Sequence, residues 1–328
     1  MTTVPRLSRR TLILAALAAA PVASPFAQAF PSGPITLIVP GPAGGTPDNV
    51  ARRLAEQLRT PLGQVVVVEN RAGASGIIGV RAVAAAAPDG HTLLMGFAQT
   101  MAINLVAFRK LPYDPVADFV PIARLVEFEL GLAVPASLPV RTVAELIAWL
   151  KANPDRAAFG SFGSGSPSQF AGAMFSRMAG VKTVHVPYKG SAPLVTDLIG
   201  GQVHFGFVVP QIVDQHVQGG RLRLLAVTGE RRSVNRPTVP TMKELGFDQV
   251  VAGGWYGLFA PRGTPAPVVD RLSKAVAAAM KSAELGKALA LQDVHPAYQA
   301  SREFGAFQQS EIARWRAVAA RTGFMAEE

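Results

Sequence analysis

The chain contains no cysteine. No disulfide can brace it and no thiol can serve as nucleophile or metal ligand, so packed cores alone must hold the fold. Histidine is scarce as well: His91, His185, His204, His216 and His295 lie far apart, and none has a partner at metal-ligand spacing. They read as surface or strand-end residues. A Gly-x-Ser-x-Gly elbow is missing, which removes the main signal of a serine hydrolase. The glycine-rich stretches lack the Gly-Lys-Ser/Thr ending of a P-loop. None completes Gly-x-Gly-x-x-Gly, because Ser168 stands where the third glycine after Gly163 and Gly165 belongs. Carboxylates such as Asp48, Asp197 and Asp214 sit singly. The residues therefore predict no catalytic group, no metal and no cofactor.

After residue 29 no run reaches ~18 uninterrupted apolar residues, so no membrane span is expected. The first 29 residues follow another pattern: Arg6, Arg9 and Arg10, then apolar Leu12 to Val22, then Ala27-Gln28-Ala29. That order of basic, apolar and small-x-small segments is an export signal, expected to be removed after Ala29. Ser8-Arg9-Arg10-Thr11-Leu12 fits a twin-arginine signal and the general export route equally. An exported, cysteine-free chain suits a bacterial periplasm.

The formal charge is +10, from 32 Lys plus Arg against 22 Asp plus Glu. Apart from Arg231-Arg232 the basic residues are scattered, with no aromatic interleaving, and no nucleic-acid partner is expected. An acidic ligand remains compatible with the balance. With 328 residues and 49% hydrophobic content the chain can fill two cores.

What the sequence does have is one arrangement used twice. Ile35 to Val39 is β-branched and reads as a buried strand. Pro40-Gly41-Pro42-Ala43-Gly44-Gly45-Thr46-Pro47-Asp48 follows, and Val50, Leu54 and Leu58 then recur at helical spacing. Thr46 is placed as the N-cap with Pro47 in the first turn. Asp48 is accounted for by the helix dipole and is also a ligand candidate. The second copy is Phe159-Gly160-Ser161-Phe162-Gly163-Ser164-Gly165-Ser166-Pro167-Ser168-Gln169, followed by a helix whose Phe170, Met174, Phe175 and Met178 form one apolar face. Glycines strip side chains from both approaches. Bare backbone N–H groups at the positive end of a helix make an anion site. Two such ends suit a ligand with two acidic groups, or one group clasped from both sides.

Gln64 to Asn70 reads as a buried parallel strand, and Gly73-Ala74-Ser75 opens a third helix, its small residues explained by close packing. Thr92 to Gly96 is a strand delivering Ala98-Gln99-Thr100 at its carboxyl end, where open α/β sheets gather ligands. Phe119 to Leu125 and Leu130 to Val134 are strands. Thr142-Val143-Ala144-Glu145 is a capping box that opens a new αβ series. Val184 to Val186, Val203 to Val209 and Leu222 to Val227 are further strands, with a helix over Leu194 to Ile199. Val250 to Phe259 is a returning strand. Thr264-Pro265-Ala266-Pro267 is expected to cap a helix running from Val268 to Met280, and Ser301 to begin the last. The pattern predicts an α/β protein with two discontinuous lobes: 30–127 plus 249–328, and 128–248, with a ligand cleft between them. Tyr188, and Trp255 or Tyr256, either line the far wall or pack between the lobes.

Val39 to Asp48, Val68-Glu69-Asn70-Arg71-Ala72-Gly73-Ala74, Ala87-Pro88-Asp89-Gly90-His91-Thr92-Leu93-Leu94, Leu111-Pro112-Tyr113-Asp114-Pro115, Val184-His185-Val186-Pro187-Tyr188-Lys189-Gly190 and Leu225-Ala226-Val227-Thr228-Gly229 occur in register along the mature chain. Together they resemble the extracytoplasmic receptors of tripartite tricarboxylate transporters, the Bug proteins. The resemblance implies a two-lobed, Venus-flytrap (type II) periplasmic binding protein, without enzymatic activity, that hands a small organic acid to the membrane permease subunits of such a transporter. It also implies that two loops clasp a carboxylate through backbone N–H groups and bridging waters. With the sequence's own signals, this makes Pro42, Ala43, Gly44, Gly45, Thr46, Asp48, Thr100, Gly163, Ser164, Gly165, Ser166, Ser168, Gln169 and Tyr188 the candidate ligand contacts. A monomer is the default expectation. A receptor feeding a sensor kinase, and an exported α/β enzyme, are the alternatives. Family members usually carry an aromatic at Gly41, a histidine at Gln169 and an Asp-Asn-like pair at Val208-Val209. Those departures predict a roomier pocket suited to an apolar or aromatic acid.

Overall fold

The computed structural model describes residues 30–233, 235–250 and 252–322. The expected export segment, residues 1–29, lies outside them. The chain lays down β1 (Ile35–Val39), β2 (Val66–Asn70), β3 (Thr92–Phe97) and β4 (Phe119–Glu129). It then leaves for β5 (Gly131–Pro135), β6 (Ala158–Ser161), β7 (Val184–Pro187), β8 (Phe205–Val208) and β9 (Leu222–Val227), and returns with β10 (Gly253–Pro261) and β11 (Val294–Ala300). One sheet has the order β11-β4-β10-β3-β1-β2 and the other β7-β6-β8-β5-β9.

Both sheets are mixed. β1 runs parallel to β2 and β3, while β10 and β11 join antiparallel. In the second sheet β6 runs parallel to β7 and β8, and β5 is antiparallel to β8 and β9. Parallel neighbours need a crossover helix. The helices are α1 (Thr46–Leu62), α2 (Ile77–Ala84), α3 (Asn104–Ala107), α4 (Val143–Ala152), α5 (Pro167–Met178), α6 (Ser191–Ile199), α7 (Pro210–Gln218), α8 (Ala266–Ala279), α9 (Ala283–Ala290) and α10 (Ser301–Thr322). Between β1 and β2 the crossover is α1, which buries Val50, Leu54, Leu58 and Leu62 and stops at Gly63, a left-handed residue whose N–H reaches Arg59 O. Between β6 and β7 it is α5.

The capping box behaves as expected at Thr142, whose hydroxyl accepts Glu145 N–H at 3.1 Å, though the Glu145 carboxylate accepts Arg141 N–H rather than the cap's own. One other cap falls one residue from where the sequence puts it: Gly45, not Thr46, is the N-cap of α1, so Thr46 is already helical. Pro265, within the expected capping stretch 264–267, precedes α8, while the Thr264 hydroxyl donates to Pro261 O.

Two stretches cross between the sheets, one around Leu130 and one over 228–252. A single side chain fastens them: the Thr228 hydroxyl accepts Leu130 N–H at 2.9 Å and donates to Ala252 O, while Thr228 N–H donates to Leu130 O. The larger hydrophobic cluster is continuous across both bodies. Within it Trp315 of α10 meets Phe170 of α5, with ring centroids 5.2 Å apart and both side chains fully buried. The C-terminal helix thus leans on the lobe to which its preceding strand does not belong.

Candidate functional site

Each glycine loop links a parallel strand to the N-terminus of its crossover helix, and the two are built alike. In the first, Gly44 has φ +77° and donates its N–H to the Asp48 carboxylate at 2.9 Å. Arg52 pairs with that carboxylate at 3.1 Å and also donates to Asn70 Oδ1. Asn70, at the end of β2, donates back to Gly41 O at 3.2 Å. A side-chain relay therefore leaves the loop at Gly44 and rejoins it at Gly41.

In the second loop Gly165 has φ +69° and donates its N–H to Gln169 Oε1 at 2.7 Å. Gln169 Nε2 meets His185 Nδ1 at 3.1 Å, and His185 Nε2 meets Ser161 Oγ at 2.7 Å. Ser161 Oγ donates to Gly163 O at 3.1 Å. This relay leaves at Gly165 and rejoins at Gly163. In both loops the acceptor is the third residue of the helix and the donor is the glycine just before the N-cap. Glycine is required at 165 for a second reason: a Cβ there would lie 2.6 Å from that of Ala107.

The relays consume most of the side chains expected to touch a ligand. Asp48 is 3% exposed and faces its own loop. Burial would raise its pKa, but hydrogen bonds from Arg52 and Gly44 and the Arg52 charge prevail and hold it below the usual value. Gln169 is committed to Gly165 and His185. Ser166 caps α5 by accepting Gln169 N–H, and Ser168 donates to Phe207 O at 2.5 Å. The Thr100 side chain, 1% exposed, turns back on Phe97 N and O in a π-helical turn, Gln99–Ile103, and offers no free hydroxyl. The Tyr188 hydroxyl donates to Asp197 at 2.7 Å, and burial together with that carboxylate pushes its pKa up to about 12.

What remains is backbone. Ala43, Gly45, Thr46 and Asp48 in the first loop, and Ser164 and Ser168 in the second, have N–H groups without a protein acceptor among the described residues. Gly44 and Gly165, also candidates, have theirs occupied by the relays. At a helix N-terminus such unpaired donors carry partial positive charge.

The first sheet's body reaches the second loop, and Pro42 of the first loop reaches Gly190 beside it. Gln99 Nε2 and Ser75 Oγ, from the body of the first sheet, both donate to Ser164 O, at 3.1 and 3.2 Å. A Cβ at Gly190 would sit 3.7 Å from the Pro42 ring, and Gly190 N–H donates to Phe162 O. Ser75 belongs to a short turn, Ala74–Gly76, ahead of α2, and beyond the close packing expected there its hydroxyl reaches across to the other lobe. The space beside Gly41 is filled by Phe97, whose ring would be 3.6 Å from a Cβ at 41, and Val208 and Val209 are buried in the cores. Two of the three grounds for a roomier pocket therefore fall away. Trp255 is core, donating to Glu311, whereas Tyr256 packs on Phe97 and Phe128 with its hydroxyl unpaired among the described residues. A separate groove of about 300 Å³ lies between α1 and α9, lined by Asn49, Arg52, Arg53, Glu56, Leu289 and Gln292, and takes no wall from either glycine loop.

The described residues hold no group of three or more potential metal ligands, and no helix among them is long and apolar enough to cross a membrane. Sequence reasoning missed Arg52, Asn70 and His185, placed Gln99 only within the loop Ala98-Gln99-Thr100, and assigned Ser75 to packing. The available signal was the repeat itself, strand-loop-helix-strand with a polar residue on each second strand.

Two mixed sheets flanked by helices and joined by two crossings, together with the solved structures it resembles, define the two-lobed fold of periplasmic binding proteins. The chain belongs to the tripartite tricarboxylate transporter family of receptors: residues 50–324 match the model described as "Tripartite tricarboxylate transporter family receptor". It is similar to Protein BugT of Bordetella pertussis, 37% identical over 94% of this chain and 95% of the relative. Among solved structures it is similar to Rpa4515 of R. palustris with adipate, at 35% identity, TM-score 0.85, and 90% and 98% of the two chains covered. MatC (Rpa3494) from Rhodopseudomonas palustris with bound malate is also similar, at 32% identity, TM-score 0.82, and 88% and 99% covered.

Proposed function

We propose that this receptor captures a small organic carboxylate between lobes 30–127 plus 249–328 and 128–248, after export and removal of residues 1–29. The acid is held by unpaired N–H groups of Pro42–Asp48 on one side and Gly163–Gln169 on the other. It is then passed unchanged, by a monomer, to the membrane permease of a tripartite tricarboxylate-type transporter. The observation that carries this reading is the pairing of two helix-tip loops whose side chains are spent on holding the loops, leaving amides as the donors. The absence of a nucleophile or general base among those side chains' free groups argues for holding rather than transforming. Family likeness to an adipate-bound and a malate-bound protein supports an acid as cargo.

A thermal-shift screen of malate, adipate, citrate, benzoate and nicotinate tests it. An acid present at a hundred times its dissociation constant adds about 2.7 kcal/mol, which raises the melting temperature by roughly 5–10 °C. Mass analysis of the mixture should return the acid unaltered. A screen in which amines or sugars shift the protein and no carboxylate does would overturn the reading, and so would the appearance of product.

A further inference from the structure

We propose that His185, neutral and carrying its proton on Nε2, is the positioning residue that sets the Gly163–Gly165 segment for anion capture. This deepens the reading above and rests on it. Gly165 N–H donates to Gln169 Oε1 at 2.7 Å, which leaves the amide NH2 of Gln169 directed at His185 Nδ1. That ring nitrogen must then be an acceptor, so the proton is on Nε2 and is given to Ser161 Oγ. Ser161 in turn gives its proton to Gly163 O. The side-chain donors run in one direction along Gln169, His185, Ser161 and Gly163, Gly163 N–H returns a longer bond to Ser161 Oγ at 3.4 Å, and one imidazole tautomer satisfies the whole series.

The relay begins and ends one residue either side of Ser164. Ser164 has one of the two N–H groups of this loop without a protein acceptor among the described residues, the other being that of Ser168, and its carbonyl is taken by Gln99 and Ser75 from the opposite lobe. Holding both neighbours fixes the peptide planes that aim the Ser164 amide. His185 reaches this place because β7 pairs in parallel register with β6, Phe159 opposite His185, and the two rings stack at 4.9 Å. The first loop achieves the same closure with ions, through Asp48, Arg52 and Asn70. Beside a bound carboxylate the second loop keeps its relay uncharged. Burial supports the neutral ring, lowering its pKa to about 4.

The test uses the full mature chain labelled with nitrogen-15, without any acid at first. His185 should give the shifts of an Nε2-protonated neutral ring from pH 8 to pH 5. The Gly165 amide, protected from exchange in the wild type, should lose protection in His185→Phe, which keeps the stacked ring, and equally in Gln169→Leu. Combining the two substitutions should cost no more than either. Ser161→Ala, a smaller change at the other end of the relay, covers the case in which His185→Phe fails to fold. A charged ring, an Nδ1-protonated ring, or a Gly165 amide unaffected by His185→Phe overturns the proposal whatever the protein binds. Adipate and malate are then titrated into each variant, and whichever binds the wild type should bind about tenfold more weakly to all of them. Unchanged affinity overturns the positioning role. If the relay behaves as stated and no carboxylate binds the wild type, the functional reading fails instead.

Discussion

Asp48 and Gln169 occupy the same place in two helices and do the same work with different chemistry. Asp48 answers to acid. Its native pKa is depressed, so the unfolded chain binds the proton more readily, and the stability it lends is complete above the ordinary value of 3.8 and disappears as pH falls through the native one. His185 has the opposite charge type and the same sign of effect. Its native pKa is about 4 against 6.5 unfolded, so the unfolded state takes up the extra proton and stability declines from pH 6.5 down to about 4. His204 and His216 are also depressed by burial and add to that slope, so the difference between chains is the informative quantity. Urea denaturation at steps between pH 7 and 4 should give a shallower decline for His185→Phe than for the wild type. None of this was visible in the primary structure, where His185 reads as an ordinary strand-end residue. Its partners come from a loop and a helix placed by strand pairing, which no local pattern encodes.

At the level of elements, the helix starts decide how each loop is held. Ser166 is a true cap, accepting Gln169 N–H at 3.3 Å, and Ser166→Ala should lower stability by about 1 kcal/mol in denaturant titration. Thr46→Ala should show no loss attributable to capping, since the cap is Gly45 and the Thr46 hydroxyl makes no capping bond. Both loops look alike as text, a hydroxyl before a proline. They differ because Pro47 is the second helical residue and Pro167 the first, a shift of one position that composition does not reveal. The strands and crossover helices around them were readable, because β-branched runs and apolar spacing are strong signals where a sheet is buried on both faces. The region after α8 was not. β11 alternates weakly, contains Pro296 at a register shift against β4, and lies at the sheet edge, so its sequence carries little strand character.

For the whole molecule, the lobes touch through groups outside the relays. Gln99 and Ser75 hold Ser164 O, and Arg236 in the returning crossing forms ion pairs with Asp214 on α7 and with Asp293 just before β11. Closure is thus written into direct contacts, and a Gln99→Ala, Ser75→Ala double variant should scatter X-rays with a larger radius of gyration than the wild type in the absence of any acid. Adding an acid that binds should bring the two radii together, because ligand binding favours the closed form in both. The bond network at Thr228 governs how that opening proceeds. Since one hydroxyl clasps both connecting ribbons, neither can slide without the other, and the halves are left to swing about a shared pivot like covers about a single rivet.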